Sequence, residues 1–176
     1  MYILKIVCID GALRHALPKS AQLHSVFTHQ QELEVMSDLT LSVALKIIDG
    51  AVAKARSAKY KPMGIAVLDA SGHLVAYARE DGASMFRFEI AQAKAWGAVG
   101  MGVSSRVLGQ RAKDNPNFFV SLAATAAGKF LPQTGAVLIK NPAGEVIGAA
   151  GASGGTGEED EEICTHGIQS AGLVAA

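Results

Sequence analysis

Residues 151–162 read Gly-Ala-Ser-Gly-Gly-Thr-Gly-Glu-Glu-Asp-Glu-Glu, a glycine-rich segment running straight into an acidic helix start. Glycines there permit positive φ and a close pass of the backbone over another surface. Thr156 followed three residues later by Glu159 is a capping box, and the other acids suit the positive end of the helix dipole. The five carboxylates of 158–162 would repel a phosphate that bare amides attract. No Gly-Lys-Ser/Thr is present either, so a P-loop is excluded. The segment reads as a capped helix after a tight turn, or as exposed amides offered to a ligand or a neighbouring subunit.

The rest of the chain supplies what such a helix would pack on. From Thr40 onward, Leu41, Ala44, Leu45, Ile48, Val52 and Ala55 recur at helical spacing to about residue 59, where Pro62 and Gly64 stop the pattern. Two β-like pairs follow. Segments 63–69 and 74–79 flank Ala70-Ser71-Gly72-His73; segments 136–140 and 146–150 flank Asn141-Pro142-Ala143-Gly144. Between the pairs lie a helix over 84–101, with Phe86, Ile90, Ala93 and Gly97 on one stripe, and a shorter helix over 104–113. A third helical piece covers 118–130, and a final helix covers 157–173. The order α-ββ-αα-ββ-α implies an α+β domain, an antiparallel sheet of two hairpins with room for a fifth strand, flanked by helices.

Residues 1–35 differ from this pattern: they carry His15, His24 and His29 without clear periodicity. Met36-Ser37-Asp38-Leu39-Thr40 has the look of a chain start before a helix, so we expect 1–35 to be an extension from a mis-assigned start, with 36–176 as the single domain. Formal net charge is zero and the sequence pI is about 7.0, which argues against nucleic acid or an anionic membrane as partner. No apolar run is long enough to span a bilayer. Cys8 and Cys164 form no CxxC pair, so neither a disulfide framework nor a zinc site is suggested, and a reducing, cytoplasmic setting fits.

Candidates for chemistry are few. His73, His166, Cys164 and Tyr77 are possible metal or haem ligands, but no HExxH, CxxCH or paired histidine motif frames them. Arg79 ends a β-like run before Asp81-Gly82, and Arg87 and Lys94 stand seven apart on the next helix, facing one side. Three cations around a glycine turn suit a carboxylate, a haem propionate included; the alternative is a solvated face. No serine sits in Gly-x-Ser-x-Gly, and Gly100-x-Gly102 ends a helix instead of following a strand, so neither a serine hydrolase nor a dinucleotide fold is indicated.

Four segments in order resemble the GlcG/HbpS family, the haem-binding or haem-degrading domain also found at the C-terminus of PduO-type proteins. They are Asp69-Ala70-Ser71-Gly72-His73-Leu74-Val75, Arg79-Glu80-Asp81-Gly82-Ala83, Ile90-Ala91-Gln92-Ala93-Lys94-Ala95, and the stretch from Gly148 to Gly155 with the acids that follow. The chain departs from that family before its third strand, with Thr134-Gly135-Ala136 where relatives often carry Gly-Gly-x-Pro-Ile. The resemblance implies a homo-oligomer with ligand pockets near subunit contacts, and a small-ligand or haem-binding accessory protein of a catabolic pathway. On that reading Arg79, Arg87 and Lys94 hold carboxylates, Asp81 orders them, and the loop containing Gly154, with Glu159, shapes a pocket edge. If haem binds, His73 is the first choice of axial ligand and His166 the second. The alternatives are an enzyme acting on a hydroxy acid or aromatic-derived acid, with Lys94 or Glu159 as acid/base, and a purely structural or regulatory partner protein.

Overall fold

The computed structural model describes residues 39–176; the expectation concerning residues 1–35 lies outside them. The first helix, α1 (Leu41–Ser57), is started by the Thr40 hydroxyl, which accepts from the Val43 N–H at 3.3 Å. The two hairpins follow the expected pairs: β1 (Gly64–Asp69) with β2 (Leu74–Arg79), then β3 (Ala136–Lys140) with β4 (Val146–Ser153). They meet through antiparallel pairing of β1 with β4, and a fifth strand, β5 (Val174–Ala175), adds to β3. The resulting five-stranded sheet has the order β2-β1-β4-β3-β5.

Alternation along the central strands sorts the core into two layers. Ile65, Val67, Val137, Ile139, Ala150 and Ala152 face α1 and the last helix, α5 (Gly157–Ser170). Leu68, Ala136, Leu138 and Ala149 face the opposite side, against Ala95 and Ala98 of α2 (Arg87–Met101). Two short helices, α3 (Ser105–Asp114) and α4 (Pro116–Thr125), contribute Leu108 and Phe119 to a satellite core completed by Phe130 from the segment that follows. Pro116 suits the first turn of α4, where its missing N–H costs nothing. Among the described residues the fold is α+β, with one more helix than the minimal order and with the fifth strand present.

Several boundaries and faces differ from the periodicity reading. On α1 the buried stripe is Val43, Ala44, Ile47, Ile48, Ala51 and Ala55, while Leu41 and Leu45 remain 58% and 47% exposed. The helix has two apolar stripes, and α5 selects one of them: a Cβ on Gly167 would fall 2.3 Å from the Ile47 carbonyl. The third helical piece ends at Thr125, because Ala127 and Gly128 turn left-handed at φ 51° and 78°. Residues 151–153, read as loop, complete β4. Gly151 is required there for close approach, since its Cβ would lie 2.3 Å from the Ala91 carbonyl of α2.

Candidate functional site

Helix α2 lies along the sheet with a groove on each flank. The segment 127–134 crosses over it, and the Leu131 N–H donates to the Ala93 carbonyl at 3.4 Å. One groove, about 350 Å³, is lined by the β1–β2 turn, by Glu89, Gln92, Ala93 and Trp96 of α2, and by Ala127, Gly128 and Lys129. The other, about 450 Å³, lies between Ile90 and Lys94 of α2, residues 131–134, and the start of α5.

The first groove holds His73. Asp69 organises the turn, its Oδ1 accepting the N–H groups of Ser71 at 2.8 Å and His73 at 2.9 Å. Its Oδ2 lies 3.5 Å from His73 Nδ1, leaving Nε2 as the ring nitrogen without a partner on the turn. Burial pushes the Asp69 carboxyl up, but the two backbone donors and the His73 ring outweigh it and leave its pKa lowered. Gly72, at φ 80°, rests on the indole of Trp96, to which a Cβ would come within 3.0 Å. The groove therefore combines an imidazole steadied by a carboxylate, an aromatic wall and a cation, Lys129. That donor set fits a flat apolar group with an iron centre and acidic side arms.

The second groove is built on a buried ion pair. Lys94 Nζ donates to Asp160 Oδ2 at 2.8 Å and to the Ala152 carbonyl at 3.2 Å, and Asp160 Oδ1 accepts from the Gly155 N–H at 3.1 Å. Lys94 is 5% exposed and Asp160 2%, so each is stable as an ion only through the other. Gly135, at φ 127°, leaves room for the pair, because a Cβ there would come 2.7 Å from Lys94 Nζ. Cys164 lies beneath, donating to the Gly135 carbonyl at 3.7 Å; burial holds its thiol far above the ordinary range and therefore unreactive.

The remaining expected site residues scatter. Arg79, the last residue of β2, and Asp81, just beyond it, are exposed; Arg79 Nη1 donates to the Ala83 carbonyl at 3.4 Å, and neither residue lines a groove. Arg87 Nη1 donates to Ser153 Oγ at 3.3 Å. Gly154 is buried where a Cβ would meet Met63 Sδ at 2.4 Å. Glu159 completes the capping box, accepting from the Thr156 N–H at 2.8 Å. His166 is exposed on α5 beside Lys54, Arg106, Glu158, Glu161 and Glu162, a charged groove with no apolar wall. There Lys54, 2.8 Å from Glu162, and the Tyr60 hydroxyl together hold the Glu162 carboxyl below its ordinary value.

Trp96, Lys129, Ser153 and Asp160 escaped the sequence reading as site residues. Trp96, the chain's one tryptophan, was a signal that could have been used. Asp160 was hidden in an acidic run, 66 residues from the lysine it neutralises. Among the described residues no cluster of three or more His, Cys, Asp or Glu side chains could hold a metal ion, and no helix is long and apolar enough to cross a membrane.

Comparison with known proteins agrees with this architecture. The structure of a PduOC–haem complex superposes with a TM-score of 0.69 at 25% identity, covering 77% of this chain and 96% of that one. HbpS superposes with a TM-score of 0.65 at 26% identity, over 75% of this chain and 89% of that one. The Klebsiella pneumoniae protein ORFY shares the fold, with a TM-score of 0.69 at 22% identity over 76% of this chain and 90% of its own. A search of curated protein sequences gives no match. Residues 39–169 match the family described as haem-degrading protein, HbpS-like, and the chain belongs to that family.

Proposed function

We propose that this protein is a haem-binding accessory protein of small-molecule catabolism, and that it takes haem in the groove beside Trp96, where His73 would bind the iron. The observation that carries this reading is the Asp69–His73 pair at 3.5 Å beside an aromatic wall. A carboxylate on one ring nitrogen fixes the imidazole's orientation and leaves the other nitrogen to bind. Trp96 offers a flat apolar surface, and Lys129 a charge for a propionate. The bound group would supply iron chemistry; the chain's own residues hold and orient it. His166 is the weaker candidate because its groove is lined by charged and polar residues and offers no apolar wall. The reading extends to a homo-oligomer: α4 carries no charged side chain and leaves Val120 71% and Phe118 49% exposed, a surface suited to a second copy.

Haemin titration of the full chain, followed at the Soret band, tests this reading. A saturable, shifted band that persists in His166→Ala and is lost in His73→Ala supports it. Loss in His166→Ala alone would move the site to α5, and no saturable shift in any form would remove haem from the account.

A further inference from the structure

We propose that the second groove is a separate binding site for a short aliphatic carboxylate, with Ser153 and Lys94 donating to its oxygens and Arg87 supplying the charge. Lys94 and Asp160 cancel each other, so the pair alone attracts no anion. It nevertheless leaves one of the three ammonium N–H groups of Lys94 without an acceptor among the described residues. Ser153 is 3% exposed and lines the groove; its Oγ accepts from Arg87, and its own O–H finds no acceptor there. Arg87 has no carboxylate within ion-pair distance among the described residues, and its Nε is buried without a partner. Glu89, the nearest acid along α2, is exposed and lines the other groove.

The negative groups that face this groove are already compensated. Asp160 is paired with Lys94, and Glu158 lies 3.8 Å from Arg106 Nη1. What remains is the half-buried guanidinium of Arg87, its Nε shut off from solvent, behind a serine hydroxyl, with an ammonium N–H beside it. Buried donors left idle are costly unless an acceptor arrives, and a carboxylate provides two oxygens for them. Ile90 and Leu131 line the same groove and offer apolar surface for an alkyl chain. Two oxygens to meet these donors and an alkyl chain for the apolar residues describe a carboxylate with a short hydrocarbon tail.

The site does not depend on haem binding, which uses the other flank of α2. Butyrate titrated calorimetrically into the full chain at low salt, with butyramide as the uncharged control, provides the test. The expected result is saturable binding of butyrate, none of butyramide, and affinity lower by about tenfold in Ser153→Ala and in Arg87→Gln. His73→Ala should bind butyrate as the unaltered protein does. Absence of saturable heat, equal binding of butyramide, or undiminished affinity in a folded Ser153→Ala protein would each overturn the proposal. The butyrate–butyramide contrast needs no variant, so it decides even if a substitution unfolds the chain.

Discussion

The two flanks of α2 are cut from the same helix, yet they solve opposite electrostatic problems. On the Trp96 side the functional groups stand in water: His73 has a side chain 80% exposed, and its partner Asp69 is 38% exposed. On the Lys94 side both charges are almost wholly withdrawn from solvent, with side chains 7% and 3% exposed. Charges near water interact weakly and can be exchanged for a ligand at little cost, whereas a buried pair is bound to its partner by the price of desolvation. The exposed flank is therefore suited to capture, and the buried flank fixes the junction of β4 with α5 while presenting its remaining donors.

That contrast can be broken most severely at Asp160. Asp160→Ala leaves a buried ammonium without its counter-ion and should cost about 3–5 kcal/mol in denaturant unfolding. Lys94→Met combined with Asp160→Leu should recover most of the loss; a double variant as unstable as the single one would show that the pair is not the source of the cost. Gly151→Ala comes next, at about 1–3 kcal/mol, since its Cβ would press on the Ala91 carbonyl at 2.3 Å. Because α2 is the wall shared by both grooves, this variant should weaken haemin and butyrate binding together. Weakening of only one would show that the flanks move independently.

Smaller effects sharpen the difference. Thr156→Ala removes one half of the capping box at the mouth of the buried groove and should lower stability by about 1 kcal/mol, read in the thermal midpoint. On the exposed flank, Asp69 gives a pH signature. Its folded pKa lies below the ordinary 3.8, so its contribution is present above that pH and fades as pH falls through the folded value. Exposure screens the term to about 0.5 kcal/mol or less. Asp69→Asn should accordingly flatten the acid limb of the stability curve only slightly, while lowering haemin affinity at neutral pH by loosening His73. An unchanged haemin titration would remove Asp69 from the site.

The sequence by itself determined the local grammar. The Thr156–Glu159 box, the two turns with Gly72 and Gly144 at positive φ, and the order of helices and strands all depend on residues within a few positions of one another. His73 beside Asp69 belongs to that class, since four residues of hairpin bring the two together. Tertiary structure alone decided which apolar stripe of α1 is buried, why Gly151 must lack a side chain, and that Lys94 is neutralised while Arg87 is not. It also separated Arg79 and Asp81 from Lys94, which the linear reading had gathered into one pocket. Hydrogen-bond geometry in turns and caps acts over one or two turns of chain, so composition and spacing reveal it. The partner of a buried charge is chosen by how sheet and helices pack, and Asp160 reaches Lys94 across 66 residues only because the end of β4 brings the first turn of α5 to the tip of the lysine side chain.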